Sequence, residues 1–290
     1  MSKISIAIAT FNEQDNLGRC LTSVADWVDE IIVVDGSSSD DTVKIANKYK
    51  SKVIITKNPI NFHINKQKAI EACTGEWILQ LDADEVVSEE LKREISEIVH
   101  QSSNRHPEFI SGSRSRNKFG MTSMLKQVQH DKEHEPINGY WIPRKNYFLG
   151  KFLEKGGQYP DYTLRLYKKG KGKLPAKSVH EQAQVDGKVG YLKNSLLHYP
   201  YKDFSEYLTH FDRYTSIFAL ELEEQKIIIS LISIIKYCII LPKYWFFLTF
   251  FRHRGFEDGF PGFVFSFFSS IRFPASFVKY WEKSKKNRQK

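Results

Sequence analysis

Short runs rich in isoleucine and valine alternate with amphipathic stretches through the first hundred residues, and this alternation restricts the fold more than any other feature. The apolar runs predict β-strands over residues 3–9, 30–35, 52–56 and 76–82. The stretches between them carry apolar residues at helical spacing and predict helices over residues 13–26, 40–49 and 63–73. Strands that are apolar on both faces and separated by helices predict an α/β fold, with a mostly parallel sheet flanked by helices.

A polar loop follows each of these four strands. The loops cover residues 10–13, 35–41, 58–61 and 82–85. In sheets of this kind, ligands bind beyond the carboxyl ends of the strands. The sequence therefore predicts a ligand site at this edge of the sheet.

The fourth strand runs into two aspartates, in the segment EWILQLDADE. If the chain stayed extended there, Asp82 and Asp84 would point to the same face about 7 Å apart. Two such carboxylates can share Mg²⁺ or Mn²⁺, which prefer oxygen ligands and commonly keep substrate phosphates in their coordination sphere. Acids that end a strand can also simply cap the next helix, and the short pattern alone does not decide between these two interpretations.

Two further loops carry side chains suited to a polar ligand. In DGSSSDDT, Gly36 permits a tight turn, and Ser39 or Asp40 can cap the next helix. Asp35 could accept hydrogen bonds from a base or a ribose, although an ordinary capped loop explains the same residues. In ATFNE, Thr10 and Asn12 offer side-chain hydrogen bonds, and Glu13 begins the following helix.

Taken together, ATFNE, VVDGSSSDDT and LQLDADE resemble the successive motifs of family-2 glycosyltransferases with the GT-A fold, including the DxD motif. The resemblance covers residues 3–100 and resumes over residues 139–200. There, segments such as YPDYTLRLYKKGKGK, SVHEQ and GYLKNSLLHYPYKD are similar to the bacterial subfamily that adds sugars to the lipopolysaccharide inner core. The resemblance implies a Rossmann-like nucleotide-diphospho-sugar transferase, with a nucleotide-sugar donor and a lipopolysaccharide-core or other lipid-linked acceptor.

For the donor, the resemblance implies a UDP-sugar, bound by residues of the first hundred. The residues implied to bind the nucleotide-sugar are Thr10, Asn12, Glu13, Asp35, Ser37, Lys66 and Asp82. Asp82 and Asp84 would hold the divalent metal, with His180 or His198 as an additional ligand, although a lone histidine is more often a structural hydrogen-bonding residue. The family often has Arg-Asn where this chain has Lys66 and Gln67, and lysine keeps the charge without the bidentate geometry.

Family-2 enzymes of this kind invert the anomeric centre by direct displacement, which requires a base for the acceptor hydroxyl and stabilisation of the leaving diphosphate. The resemblance implies Asp161 of YPDYTLRL as that base, because it occupies the place of the family's acidic motif, with Glu181 of VHEQ as the rival. Arg165 could pair with a phosphate or with a neighbouring acid.

We expect four regions along the chain. They are a nucleotide-sugar-binding half over residues 1–100, a surface insertion over 101–136, an acceptor and catalytic half over 137–200, and a helical, membrane-proximal region over 201–290. Residues 101–136 are rich in polar and basic residues without a sustained period, which is typical of a long loop.

The C-terminal region combines apolar segments with a basic tail. An apolar stretch over residues 227–251 is interrupted by Lys236, Pro242 and Lys243, and residues 260–281 are strongly aromatic. The last twelve residues hold six basic side chains and one acid. This combination predicts peripheral attachment to an anionic membrane surface, on the cytoplasmic face of the inner membrane, whereas helices that close over the catalytic domain or form a dimer interface are the alternative.

Three other classes of protein can be weighed against a glycosyltransferase: a nucleic-acid-binding protein, a dehydrogenase and a non-catalytic scaffold. The net charge of +9 favours a polyanionic partner. A nucleic-acid-binding protein would be an alternative, but no helix-turn-helix or RNP-like motif is present, and acids at the strand ends would repel a phosphate backbone. The first strand lacks the GxGxxG turn of a dehydrogenase. The three cysteines form no CxxC pair, which fits a reducing cytosol. A non-catalytic scaffold on the same fold remains an alternative function.

Overall fold

A computed structural model of the chain describes residues 3–59, 61–103, 136–175 and 182–288. The chain forms two compact units, the first made of residues 1–143 and 162–196, and the second of residues 144–161 and 197–290. The predicted insertion lies largely outside the described residues. The assignment of donor and acceptor functions to separate halves of the chain stays a prediction.

The strands follow one another along the chain as β1 Ile4–Thr10, β2 Glu30–Asp35, β3 Lys52–Ile55, β4 Trp77–Leu81, β5 Glu85–Val87, β6 Ile137–Phe148, β7 Lys151–Leu153, β8 Asp161–Lys168, β9 Gly172–Lys173, β10 Gln184–Val185, β11 Lys188–Tyr191 and β12 Leu196–His198. In the first unit, neighbouring strands of the sheet run in the order β3-β2-β1-β4-β8-β6. The first four of these pair in parallel, and β8 is antiparallel to β4. The predicted parallel arrangement of the first four strands is confirmed.

Helices of the first unit connect these strands. They are α1 Leu17–Thr22, α2 Thr42–Lys48, α3 His63–Ala72 and α4 Glu89–Ser103. The sequence of residues 86–100 also predicts a helix, with Ser88 as its N-cap. The observed helix α4 begins only at Glu89, because Glu85–Val87 forms β5, in which both end residues are buried. The Ser88 side chain nevertheless caps α4 as predicted, since its Oγ accepts a hydrogen bond from the Leu91 amide at 3.2 Å.

The first unit has a hydrophobic core on each face of its sheet. Ile6 and Ile8 of β1 contribute to one core, whereas Ala7 of the same strand contributes to the other. This alternation follows from the two-residue period of a strand. Because both faces are covered, the carboxyl edge of β1, β2 and β4 is where polar side chains of these strands collect.

The second unit is largely helical in its C-terminal part. Its helices are α5 Phe204–Glu224, α6 Leu231–Arg252 and α7 Gly259–Arg288, with a 3-10 turn at Gly255–Asp258. The predicted C-terminal helical region is therefore confirmed. Of the described helices, α6 is the one that is long and apolar enough to cross a membrane, by length and composition alone.

Candidate active site at the carboxyl ends of the strands

Asp35 ends β2 and organises the loop that follows it. Its Oδ2 accepts hydrogen bonds from the hydroxyls of Thr10 at 3.0 Å and Ser38 at 2.6 Å, and its Oδ1 accepts one from the Ser38 amide at 2.8 Å. The side chain is fully buried. Asp35 therefore holds the two loops after β1 and β2 together, and its contact with a base or ribose stays a prediction.

The other predicted residues of these loops lie beside Asp35. The Asn12 amide donates to the Ser38 hydroxyl at 2.8 Å, and the Glu13 amide donates to the Thr42 hydroxyl at 2.8 Å. The hydroxyl of Ser37 donates to the Thr56 carbonyl at 2.8 Å. Asn12 and Ser37 both have positive φ, 54° and 65°. These hydrogen bonds therefore stabilise a backbone conformation that residues other than glycine rarely adopt.

The N-cap residue of α2 is Asp41, whose side chain makes no capping hydrogen bond, and not Ser39 or Asp40 as predicted. Oδ1 of Asp40 accepts a hydrogen bond from the Thr42 amide at 3.0 Å. Of the two candidates that the sequence offered, Asp40 therefore contacts the first turn of the helix, as expected for a side chain that satisfies an amide there.

A buried cluster of charges forms at the end of β4. The Nη2 atom of Arg165 lies 2.5 Å from Asp82 Oδ2 and 2.7 Å from Glu85 Oε1. Arg165 also donates to the side-chain oxygen of Gln80, and the Lys66 ammonium forms an ion pair with Asp82 Oδ1. Arg165 is 7% exposed, Glu85 is fully buried and the Lys66 side chain is 11% exposed. The Lys66 ammonium and the Arg165 guanidinium thus contact different oxygens of the Asp82 carboxylate.

Charges within this cluster fix its protonation. Burial alone would raise the pKa of Asp82, but the adjacent charges of Arg165 and Lys66 outweigh it and hold that pKa well below its usual range. Burial would likewise lower the pKa of Arg165, but Asp82 and Glu85 raise it above its usual value. Asp82 is therefore a carboxylate, and Arg165 a cation, throughout the neutral pH range.

The DxD segment does not have the extended geometry that we predicted. The amide of Glu85 donates to the Asp82 carbonyl at 3.0 Å, and the Asp82 amide donates to Glu85 Oε2 at 2.9 Å, so the segment forms a tight turn. The expected same-face spacing of Asp82 and Asp84 is wrong for this reason. The turn instead directs the Glu85 carboxylate into the protein, where Arg165 neutralises it.

A divalent metal would have to fit around these contacts. The described parts of the chain contain no group of three or more histidine, cysteine, aspartate or glutamate side chains that could hold one. Both carboxylate oxygens of Asp82 already face cations. Asp84 offers a hard oxygen ligand beside them, and Mg²⁺ or Mn²⁺ needs only one or two protein carboxylates when substrate phosphates complete its coordination. Binding of such an ion by Asp84 stays a prediction, and His180 lies outside the described residues.

Sequence reasoning did not assign Gln80 and Glu85, and it left the role of Arg165 open. The structure decides in favour of the acid partner for Arg165. A signal was present, because Gln80 and Arg165 each interrupt a run of apolar strand residues, WILQL and TLRLY. A polar residue in a buried strand needs a buried partner.

Asp161, the predicted base, lies in the second unit. Arg144 contacts its Oδ2 through Nε at 2.9 Å and Nη2 at 2.6 Å, and Asn146 Nδ2 lies 3.4 Å from the same oxygen. His198 Nδ1 is 2.7 Å from Asn146 Oδ1. These four residues line a cavity of about 260 Å³ together with Tyr147, Tyr201 and other residues. The rival base Glu181 lies outside the described residues.

Comparison with known proteins supplies the family. Residues 5–169 match the model of the family described as Glycosyl transferase family 2. The chain belongs to glycosyl transferase family 2. The predicted enzyme class and the GT-A fold are thereby confirmed, and the strand-end loops described above lie within the matched part of this family-2 chain.

Two relatives align with most of the length of this family-2 glycosyltransferase. A protein of Rickettsia felis described as an uncharacterized glycosyltransferase is 30% identical over 266 residues, which cover 91% of this chain and 84% of that protein. The lipopolysaccharide core biosynthesis glycosyltransferase LpsC of Rhizobium meliloti is 25% identical, over 90% of this chain and 85% of LpsC.

Solved structures are more distant. Residues 1–349 of TarS from S. aureus align with 99% of this chain and 91% of that chain, at a TM-score of 0.42 and 14% identity. Glucosyl-3-phosphoglycerate synthase from Mycobacterium tuberculosis, in complex with Mn²⁺ and UDP-glucose, aligns with 29% of this chain at a TM-score of 0.27 and 22% identity. The match spans about a third of the synthase, 34% of its chain. Likeness of this degree does not specify a substrate.

Proposed function

We propose that this family-2 glycosyltransferase moves a sugar, with inversion, from a UDP-sugar to a lipopolysaccharide-core or other cell-envelope glycan acceptor. The observation that carries the donor half of this proposal is the charged cluster of Lys66, Asp82 and Arg165 at the end of β4. The name of the relative LpsC supports the acceptor half. A non-catalytic scaffold on the same fold is the alternative, and an assay of sugar transfer distinguishes the two.

Within this cluster, the Lys66 ammonium is the group that a nucleoside diphosphate would contact. Lys66 lies on α3 and reaches the end of β4, where its ammonium is close to Asp82. When a diphosphate approaches, its oxygens can share the Lys66 ammonium with the Asp82 carboxylate, because an ammonium has three donors. Thr10, Asn12, Glu13, Asp35 and Ser37 lie in the adjoining loops, where we place the nucleoside.

For the metal, we assign Asp84 as the protein ligand, with Asp82 ordering the turn that presents it. The ion would offset the negative charge that grows on the leaving diphosphate. Glu85 is occupied by Arg165 and by the Asp82 amide, so it holds the turn in shape and is not a ligand.

The chain's own residues then supply the remaining requirements of displacement. The acceptor hydroxyl attacks the anomeric carbon as the bond to the diphosphate oxygen breaks, and its proton passes to the Asp161 carboxylate. Arg144 and Asn146 hold that carboxylate in position through hydrogen bonds to its Oδ2 atom. Glu181 is the alternative proton acceptor.

A ligand-binding experiment tests the donor and metal assignments. We expect a UDP-sugar at 100 times its Kd to stabilise the protein by about 2.7 kcal/mol, and Mn²⁺ to increase the stabilisation that a subsaturating UDP-sugar gives. Asp84→Asn should remove the manganese-dependent part of the thermal shift. GDP-, ADP- and CMP-sugars are measured in parallel.

The matched control is Asp41→Asn, an exposed acid beside α2. This variant should keep the full manganese-dependent shift. If Asp84→Asn also keeps it, the metal assignment is wrong, and a protein that no nucleotide-sugar stabilises contradicts the donor proposal.

We also propose that the chain attaches to the cytoplasmic face of a membrane through α6. One side of this helix packs within the second unit through Ser233, Tyr237 and Thr249, whereas apolar side chains on its other side are exposed. The most exposed of these are Leu231 at 73%, Ile232 at 80%, Ile240 at 55%, Tyr244 at 59% and Phe247 at 62%. An exposed apolar helix face with interspersed lysines suits an interfacial position.

Vesicle binding tests this attachment. Phe247→Ser with Phe251→Ser should weaken binding of the full chain to vesicles at least tenfold, because burying each phenylalanine contributes about 1.5–3 kcal/mol. The pair Ile55→Ser and Ile64→Ser, exposed in the first unit, is the control and should bind as wild type does. Cosedimentation measures both, and equal binding by the two double variants would contradict attachment through α6.

A further inference from the structure

A cleft in the second unit lies where α6 ends. It has a volume of about 590 Å³ and is lined by Glu154, Lys155, Gly157, Tyr159, Arg252, His253 and Arg254. This volume falls within the range of small-molecule sites, roughly 300–1,000 Å³. Two arginines, one lysine and one histidine thus line the cleft beside Glu154, which is paired with Lys145 at 3.0 Å. Glu257, next to the cleft, forms ion pairs with Arg254 and, at 3.7 Å, with Lys155, whereas Arg252 has no ion pair with an acid among the described residues.

The cleft is held in shape by contacts behind its surface. Asp258, which is 4% exposed, accepts hydrogen bonds from the amides of Glu154 at 3.1 Å and Lys155 at 2.8 Å. The Gly156 amide donates to the His253 carbonyl at 2.9 Å. These bonds join the segment after β7 to the segment after α6, so the basic side chains project from a fixed backbone.

Glycine is required on one wall. Gly157 has a φ of 77°, and a Cβ atom there would lie 3.1 Å from His253 Nδ1. A larger residue would therefore strain the backbone and crowd the imidazole. The close approach of these two segments leaves the imidazole at the cleft wall.

Basic residues near a helix C-terminus commonly offset the helix dipole, but that role does not account for the surroundings of this cleft. Lys155 comes from a different segment, and exposed aromatic side chains flank the basic residues along the chain. They are Phe247 at 62%, Phe251 at 49%, Phe256 at 49% and Phe260 at 71% exposed. Cations bordered by exposed phenylalanines match an amphiphile with an anionic head and apolar chains.

We infer that this cleft binds the phosphate headgroup of an anionic membrane lipid, while the neighbouring phenylalanines enter the apolar boundary of the bilayer. The inference rests on the proposed attachment through α6 and specifies the lipid chemistry that it prefers. Arg252 and Arg254 would contact the phosphate, since guanidinium groups form paired hydrogen bonds with phosphate oxygens.

Binding of the full chain to two kinds of vesicle tests the headgroup site. The vesicles are phosphatidylcholine alone and phosphatidylcholine with phosphatidylglycerol at a ratio of 7:3. We expect Arg252→Gln with Arg254→Gln to weaken binding to the anionic vesicles about 30-fold, since each basic residue near such a surface contributes roughly fivefold. Binding to phosphatidylcholine alone should change less than threefold.

The control removes the same charge elsewhere, through Lys44→Gln with Lys48→Gln on α2, and should alter anionic binding less than threefold. Retained UDP-sugar binding shows that each variant is folded. Equal losses in the two double variants would overturn the headgroup site while attachment through α6 survives, whereas wild-type protein that binds neither vesicle overturns the attachment itself.

A free anion is distinguished from a lipid in the same series. Inorganic phosphate at 10 mM should leave vesicle binding within twofold. If it displaces the wild-type protein from anionic vesicles and the Arg252→Gln with Arg254→Gln variant is insensitive to it, the cleft takes free phosphate and the lipid assignment is overturned.

Discussion

Replacing Arg165 by methionine should lower the free energy of unfolding by about 3–5 kcal/mol, because it removes one partner of a buried ion pair. Glu85 is fully buried, and Arg165 is its cationic partner at 2.7 Å. Methionine fills similar space without the charge, so the loss arises from the uncompensated carboxylate. Urea-induced unfolding measures it, as a lower midpoint with an unchanged dependence on denaturant.

Two further variants separate this explanation from a packing defect. Glu85→Gln with Arg165→Met should recover part of the lost stability, because no buried carboxylate is then left at position 85 without its cation. Lys283→Met breaks an exposed pair with Glu223 and should cost less than about 1 kcal/mol. If the double variant is as unstable as Arg165→Met, loss of charge pairing is not the cause.

Replacing Asp161 by asparagine should lower kcat by about 10²- to 10⁴-fold, the usual contribution of a general base. This corresponds to about 3–5 kcal/mol of activation free energy. Asparagine keeps the shape of the side chain and can still accept a hydrogen bond from Arg144, so the variant should fold and bind the donor. Initial rates of sugar transfer at saturating donor measure the effect.

Two variants complete that measurement. Asp186→Asn changes an exposed aspartate that pairs with Lys171, and it should transfer sugar at the wild-type rate. Glu181→Gln should reduce kcat far less than Asp161→Asn does. If Asp161→Asn keeps near-full turnover and Glu181→Gln does not, Glu181 is the base.

Local pattern was enough to predict much of the first unit. The strands β1 to β4 could be recognised because continuous apolar, β-branched runs have few alternatives, and their parallel order followed from the helices between them. The loops after β1, β2 and β4 could be placed at one edge for the same reason. Thr10, Asn12, Asp35 and Ser37 indeed lie in two joined loops.

The charged cluster could not be predicted in the same way. Arg165 and Asp82 are 83 residues apart, and their contact depends on the antiparallel pairing of β8 with β4. The turn at residues 82–85 was also mispredicted as extended, because the buried position of Glu85 is set by Arg165 on another strand. Such a partner is invisible to a window of neighbouring residues.

The sequence by itself determined the alternation of β1 to β4 with helices, the edge at which polar loops collect and the apolar character of the C-terminal helices. These features depend on residue period and burial, which neighbouring residues encode. Only the tertiary structure decided which charges meet, which carboxylates are already paired and where the cleft beside α6 lies. Those properties depend on distances between segments remote in the chain, and electrostatic energies change steeply over such distances.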